Sequence, residues 1–267
     1  AVLTIIYSLG VGISMAGTAL VARRFGEKKY KQAGTLAFQL LLVGVLVSVA
    51  LGIAGFIYAE DVLRLMGAES TVLVTGTAYT RIIFAGNTAV MLLFLINGIF
   101  RGAGSAHLAM RALWISNGLN IILDPLLIFG LGSIEGLGLV GAAWATTIGR
   151  SIGVVYQMYH LLNGKHRLVI KSYNLLVRWE TLKKIINISI GGMGQFLVDS
   201  AAWIVLTRIA SEFGSVAIAG YTIAFRILLF SLMPAWGLSA AAATLVGQNL
   251  GAGKAFRAEI ATYLNSG

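Results

Sequence analysis

The sequence predicts an all-α polytopic membrane protein. Three observations carry that prediction: the apolar share of the chain, the length of its apolar blocks, and the sign of the charge between them. Of the 267 residues, 58% are hydrophobic and 11% are charged, with a mean hydropathy of +0.86. A soluble domain is about 45–50% apolar and about 25% charged, so a soluble enzyme and a disordered chain are both excluded. The absence of cysteine removes disulfides, Cys-based zinc sites and thiol nucleophiles. The net charge of +10 would point to nucleic acid in a soluble protein. In so apolar a chain it points to positive cytoplasmic loops, and no nucleic-acid partner is expected.

A membrane helix needs about 20 mostly apolar residues. Seven such blocks run over residues 1–22, 35–59, 73–100, 107–131, 137–162, 185–211 and 216–249. None shows the alternation of a membrane barrel. The last is longer than a bilayer requires, so it must tilt, kink or emerge at one end.

The gaps alternate in charge. Arg23, Arg24, Lys28, Lys29 and Lys31 follow the first block, whereas Glu60, Asp61, Arg64 and Glu69 follow the second. Arg101, His107 and Arg111 follow the third, and only Glu135 the fourth. Lys165, Arg167, Lys171, Arg178, Lys183 and Lys184 follow the fifth, Glu212 the sixth, and Lys254 and Arg257 the seventh. Basic gaps mark the cytoplasmic side, so residue 1 lies outside and the first helix runs inward. The first block has no basic segment ahead of it, and its Arg pair comes after it, which excludes a signal peptide.

The segment from Ala16 to Gly26 is repeated from Ala241 to Gly251, with Lys29 matched by Lys254 and Ala33 by Ala258. Each copy ends an apolar block and opens a basic gap. Six spans separate them, so both point the same way, as in parallel halves related by an axis along the membrane normal. One copy stands in the first span and the other in the last. The chain therefore reads as spans two to eight of a twelve-span protein near twice its length.

The chain resembles the multidrug and toxic compound extrusion (MATE) family. The resemblance rests on Gly26 with its basic loop and Ala33, on Arg101-Gly102-Ala103-Gly104, and on the run Asn120 to Phe129 containing Asp124-Pro125. It continues with Gly141 to Thr146, Ala219 to Arg226, and Gly247-Gln248-Asn249-Leu250-Gly251-Ala252-Gly253. It implies two six-helix lobes around a central cavity, with residues 1–162 as the N-lobe, 163–184 as a basic cytoplasmic interlobe loop, and 185–267 as the start of the C-lobe. It implies a multi-pass protein of the plasma (cytoplasmic, inner) membrane, monomeric at full length. Such proteins export small organic cations, drugs and toxic compounds in exchange for Na⁺ or H⁺, with no other cofactor. The chain lacks the family's first span, with the acidic residue many members carry there, and its last four. It has Gly191-Gly192 where the family often has Pro.

Two acidic residues, Asp124 and Asp199, lie inside spans. A charge at that depth costs at least about 2.5–3.5 kcal/mol and usually serves a function or an ion pair. Asn120 precedes Asp124 by one helical turn, and Pro125 removes the donor for the carbonyl of Ile121, kinking the helix. Clustered oxygens suit a hard cation. The resemblance makes Asn120, Asp124 and Thr146 the matches for the family's cation-coupling residues, a Na⁺ site in some members. The alternative is a carboxylate that only shapes the kink. Asp199, with Gln195 one turn before it, is a second acidic candidate; the family's residue falls at Asp199 or Ser200. The alternative for Asp199 is an ion pair with Arg150 on the preceding span. A carboxylate in apolar surroundings holds its proton tightly unless a cation stabilises the charge. Na⁺ and H⁺ would then compete for such a group and bias inward-facing against outward-facing states.

Met91, Phe94, Trp114, Met193, Phe196, Trp203, Phe230, Met233 and Trp236 are candidates either to line a cavity for flat cations or to pack and anchor the helices. Pro234 and Gly237 can flex the last block. The small-residue runs at 239–243 and 141–146 read as close helix packing. His107, His160 and His166 read as surface residues without metal-ligand spacing. Gly251-Ala252-Gly253-Lys254 lacks the spacing of a phosphate loop. Membrane lipids are expected partners, since the basic run 165–184 can meet anionic headgroups, although orientation alone explains it. No nucleophile–base pair or nucleotide loop stands inside a span, so an enzyme is not expected. The alternatives are a lipid-linked oligosaccharide flippase of the same superfamily, whose cavity tends to be cationic, and a non-transporting scaffold.

Overall fold

The computed structural model describes residues 2–65, 70–131, 134–163 and 167–266. Glu69, Lys165 and His166, which the sequence places in polar gaps, lie outside them. Ten α-helices follow one another: α1 (Val2–Gly26), α2 (Tyr30–Ile57), α3 (Ala59–Leu65), α4 (Ser70–Ala85), α5 (Asn87–Gly102), α6 (Ala106–Phe129), α7 (Leu139–Leu162), α8 (Trp179–Glu212), α9 (Ser215–Gly251) and α10 (Ala255–Ser266). A two-residue hairpin, β1 (Gly130–Leu131) with β2 (Ile134–Glu135), turns the chain between α6 and α7. A single 3₁₀ turn covers Ser172–Asn174.

Length and apolarity make α1, α2, α6, α8 and α9 membrane spans, and α4 with α5 a sixth that bends by 45°. The sequence read residues 73–100 as one unbroken span. Gly86 interrupts it, and the Asn87 side chain, fully buried at the break, donates to the Ser48 carbonyl at 3.2 Å. The seventh segment, α7, has 24 residues, enough for about 36 Å. It falls short of the others in apolarity because Gly, Thr, Ser and Arg150 interrupt it. Short α3 and terminal α10 were not foreseen; neither is long enough to show as an apolar block. α8 begins at Trp179, inside the stretch expected to be loop.

The core surrounds α5, whose Met91, Leu93, Leu95, Ile96, Ile99 and Phe100 are all nearly inaccessible. α1 packs along α5 because small residues let the backbones meet. A Cβ on Gly98 would strike the Ser14 carbonyl, and one on Gly102 would come within 2.6 Å of the Thr18 carbonyl. The Ser14 hydroxyl donates to the Phe94 carbonyl at 2.7 Å and the Thr18 hydroxyl to the Gly98 carbonyl at 3.1 Å. Burying a hydroxyl in such a contact requires a partner, and here the facing helix supplies it. Gln157 of α7 donates to Asn97 of α5 at 2.6 Å. Ile121 and Phe129, 73% and 81% exposed, belong to the outward apolar surface that lipid covers in a membrane.

α8 and α9 join this bundle mainly through α1. Gly192 of α8 crosses Gly12 of α1, where an added Cβ would stand 3.1 Å from the Gly12 Cα. That crossing accounts for glycine at the position where a proline was expected. Gly26 and Gly251 bring α1 and α9 together at their C-terminal ends: a Cβ on Gly26 would strike the Gln248 carbonyl, and one on Gly251 the Arg23 carbonyl.

Candidate functional site

Asp199 and Gln195 lie one turn apart on α8, on a face that borders a cavity of about 960 Å³. The walls come from α1, α5, α8 and α9. Phe94, Phe196, Trp203 and Trp236 line it, joined by Met15 and Phe225. Trp203 and Phe225 face each other with ring centroids 3.9 Å apart, and Tyr221 stacks on Phe225 at 6.0 Å. Asp199 is the one ionisable group among the described residues of the lining. The described lining is therefore an apolar, aromatic space with one carboxylate, one side-chain amide and the Ser200 hydroxyl, large enough for a drug-sized molecule.

Cavity-lining residues lie on the outer side of the Gly26–Gly251 contact, with Met15 preceding Gly26 on inward-running α1 and Trp236 preceding Gly251 on α9. The Gly26–Gly251 contact thus stands at the end of α1 and α9 beyond the cavity-lining residues.

The other aromatic and methionine candidates divide differently. Met91 is part of the core and Met193 packs beside Gly12. Trp114, Phe230 and Met233 face outwards. Helical spacing alone did not separate these from the cavity residues, because all lie in blocks that are apolar on every side. Met15 and Phe225 were missed for the same reason.

A smaller cavity, about 170 Å³, lies within the bundle of α1, α4, α5, α6 and α7. Asn120 and Thr146 line it, as expected from their similar depth on α6 and α7. Tyr7, Tyr79 and Asn87 line it too, and so does Arg150. Asp124 sits one turn outward, accepting a hydrogen bond from the Asn120 amide at 3.3 Å. Its helix ends at Phe129, which puts it about 8 Å from the helix end. α6 and α9 each continue as one helix past Pro125 and Pro234.

The oxygen donors of Asn120, Asp124 and Thr146 have the chemistry a hard cation needs. The Arg150 guanidinium shares the cavity and opposes a second positive charge there. Arg150 does not pair with Asp199: the two line different cavities, and no ion pair joins them among the described residues. The polar lining at Tyr7, Tyr79 and Asn87 was legible only as isolated polar residues in apolar blocks.

His107 is exposed, as expected, but His160 is half-buried, edge-on to Tyr156 and Tyr159 with ring centroids at 4.6 and 5.4 Å. Apolar neighbours one and four residues before it on α7 make that pocket.

A family model described as MatE matches residues 1–126 and 193–265. The chain belongs to the MatE family. It is 27% identical over 252 residues to the probable multidrug resistance protein YoeA of Bacillus subtilis, covering 93% of this chain and 54% of that protein. It is 24% identical to the multidrug export protein MepA of Staphylococcus aureus, covering 95% of this chain and 55% of that one. The chain spans about half the length of these curated relatives. Among solved structures, a multidrug resistance MATE family transporter of the MOP superfamily in an outward-facing conformation superposes with a TM-score of 0.91 at 28% identity. That match covers 99% of this chain and 58% of the other. The multi-span helical bundle of this MatE chain thus follows a known transporter architecture.

Proposed function

We propose that the chain is the part of a secondary antiporter, not an enzyme, that exports flat organic cations in exchange for Na⁺ or H⁺. The observation that carries this reading is the large cavity, which five aromatic side chains line together with Asp199. Aromatic faces attract a cation, and the attraction grows to about 2 kcal/mol or more when the site excludes water. One carboxylate in an apolar space favours a positive substrate over a diphosphate-bearing lipid. The relatives named as multidrug export and multidrug resistance proteins support the same reading.

In this reading residues 1–162 form the N-lobe, 163–184 the connection and 185–267 the start of the C-lobe. The repeated segments ending at Gly26 and Gly251 meet between the lobes. Asp124, with Asn120 and Thr146, carries the coupling ion, and Asp199 meets the substrate. Binding of Na⁺ or H⁺ changes the charge of the bundle and shifts the balance between outward-facing and inward-facing states. Tight coupling needs only a few kcal/mol of differential affinity.

The test is equilibrium binding of ethidium to the purified intact protein, compared with a polyprenyl diphosphate. Binding of the cation, weakened in Asp199→Asn, supports export of cations. Binding of the diphosphate but not the cation would overturn it in favour of a flippase.

A further inference from the structure

A third cavity, about 220 Å³, opens at the cytoplasmic face between the start of α2 and the segment that leads into α8. Its wall holds Arg24, Lys31 and Arg178, with Gln32, Thr35 and Thr181 as further polar groups, and no carboxylate among the described residues. Of the acids nearest in sequence, Glu180 adjoins Thr181 without lining the cavity, and Glu27 is already engaged. It pairs with Arg24 at 2.6 Å, Lys29 at 3.0 Å and Arg23 at 3.5 Å. Lys31 and Arg178 have no carboxylate partner among the described residues. Lys31 instead lies 6.0 Å from the centre of the Tyr173 ring.

The cavity is held by buried side chains. Asn174, fully buried, donates to the Lys31 carbonyl at 2.8 Å and to the Thr35 hydroxyl at 3.0 Å, and accepts from the Lys171 amide at 2.9 Å. Gln39, also fully buried, donates from Nε2 to the Leu176 carbonyl at 2.8 Å. Gly34 admits the segment, because a Cβ there would stand 2.7 Å from the Val169 carbonyl. The Oε1 of Gln39, a fully buried lining residue, has no hydrogen-bond partner. A buried acceptor left unpaired costs about 1–3 kcal/mol, so a ligand with a hydroxyl donor fits it.

The helix termini point the same way. α2 starts after Lys29 with no side-chain cap and no acid in its first turn, and Lys31 stands at that end. Lysine is unfavourable at a helix N-terminus, where the dipole favours an anion. α8 brings a second N-terminus, with Thr181 on the cavity wall, although Glu180 stands in the same first turn and does not line the cavity. The positive-inside rule explains basic residues on this face. It does not explain a tethered segment that gathers them around a hole with an unpaired acceptor at its base.

We propose that this cavity binds a hydroxyl-bearing phosphate, its charge held by Lys31 and Arg178 and its hydroxyl donated to Gln39. The phosphate comes either from the headgroup of an anionic lipid such as phosphatidylglycerol or from hydrogen phosphate in solution. The site lies apart from both membrane cavities and does not depend on what they transport.

The test uses the intact protein in nanodiscs and follows acetylation of Lys31 against Lys254, a basic residue on the same face. Three arms are compared: phosphatidylcholine alone, phosphatidylcholine with phosphatidylglycerol, and phosphatidylcholine with inorganic phosphate. A ligand at about ten times its Kd slows labelling of Lys31 about tenfold and leaves Lys254 unchanged. Protection in the lipid arm names the headgroup; protection in the phosphate arm names the soluble ion. Arg178→Gln abolishes the protection, and should that variant fail to fold, the wild-type comparison still decides. Lack of protection in both arms, or equal protection of Lys31 and Lys254, overturns the proposal, as does protection that survives Arg178→Gln.

Discussion

Gly26 and Gly251 exchange contacts across the junction of α1 and α9. An added Cβ on Gly26 would strike the carbonyl three residues before Gly251, and one on Gly251 would strike the carbonyl three residues before Gly26. Ala22 and Gly247, equivalent in the two repeats, touch each other: a Cβ on Gly247 would come 2.8 Å from that of Ala22. The two copies of the repeat thus meet in the structure through equivalent residues. Only residues without a side chain at these two points allow carbonyl-to-backbone contact.

Gly251→Val is therefore expected to separate the helices at that junction. Overpacking of this kind costs about 1–3 kcal/mol. If this contact closes the cavity towards the cytoplasm, its loosening raises access from that side. Alkylation of a cysteine introduced at Met15, from the cytoplasmic side, measures it. Faster alkylation in Gly251→Val than in the parent is the expected result; unchanged alkylation removes the closure from the account.

Asp199→Asn and Trp203→Ala test the large cavity. A hydrogen-bonded charge is worth about 1.5–3 kcal/mol, so Asp199→Asn should weaken a cationic ligand about 10- to 100-fold and spare a neutral ligand of similar shape. Trp203→Ala should weaken both, because it removes aromatic surface as well as the cation–π contact. Fluorescence titration with the two ligands checks it. Equal losses for both ligands in Asp199→Asn would show that its charge does not select.

Glu27 ties the α1–α2 turn. The hydrogen bond from Lys29, then Arg24, holds its carboxyl below the usual 4.5. A carboxyl whose pKa is lower folded than unfolded adds stability above the unfolded value and loses it as pH falls through the folded one. The turn should thus hold its order from neutral pH to below 4.5 and lose stability only at lower pH. Glu27→Gln should melt at a lower temperature than the parent at pH 7, with the difference shrinking at lower pH. A melting difference independent of pH would remove the ion pairs from the explanation.

Most of the fold could be read from the residues, because membrane helices announce themselves in length and apolarity. The repeat at Ala16–Gly26 and Ala241–Gly251 even located an inter-helix contact. The break at Gly86 could not be read, since one glycine inside an apolar block does not show that the next turn bends by 45°. The cavity was legible in its acid and only partly in its walls, where Phe94, Phe196, Trp203 and Trp236 were among the candidates. Asp199 stood out as a charge among apolar residues, whereas Met15, Phe225 and outward-facing Phe230 look alike in sequence. Arg150 shows the same limit. Depth suggested Asp199 as its partner, but rotation about the helix axis, which no count of residues fixes, turned it to Asn120 and Thr146 instead.

The most direct test of the coupled export of cations is ethidium efflux from cells that express the intact protein, with and without Na⁺, in the parent and in Asp124→Asn. The account predicts efflux by the parent and its loss in Asp124→Asn at equal expression, with the Na⁺ dependence naming the ion. Unchanged efflux in Asp124→Asn would contradict the coupling role of Asp124, and absence of efflux in the parent would contradict cation export itself.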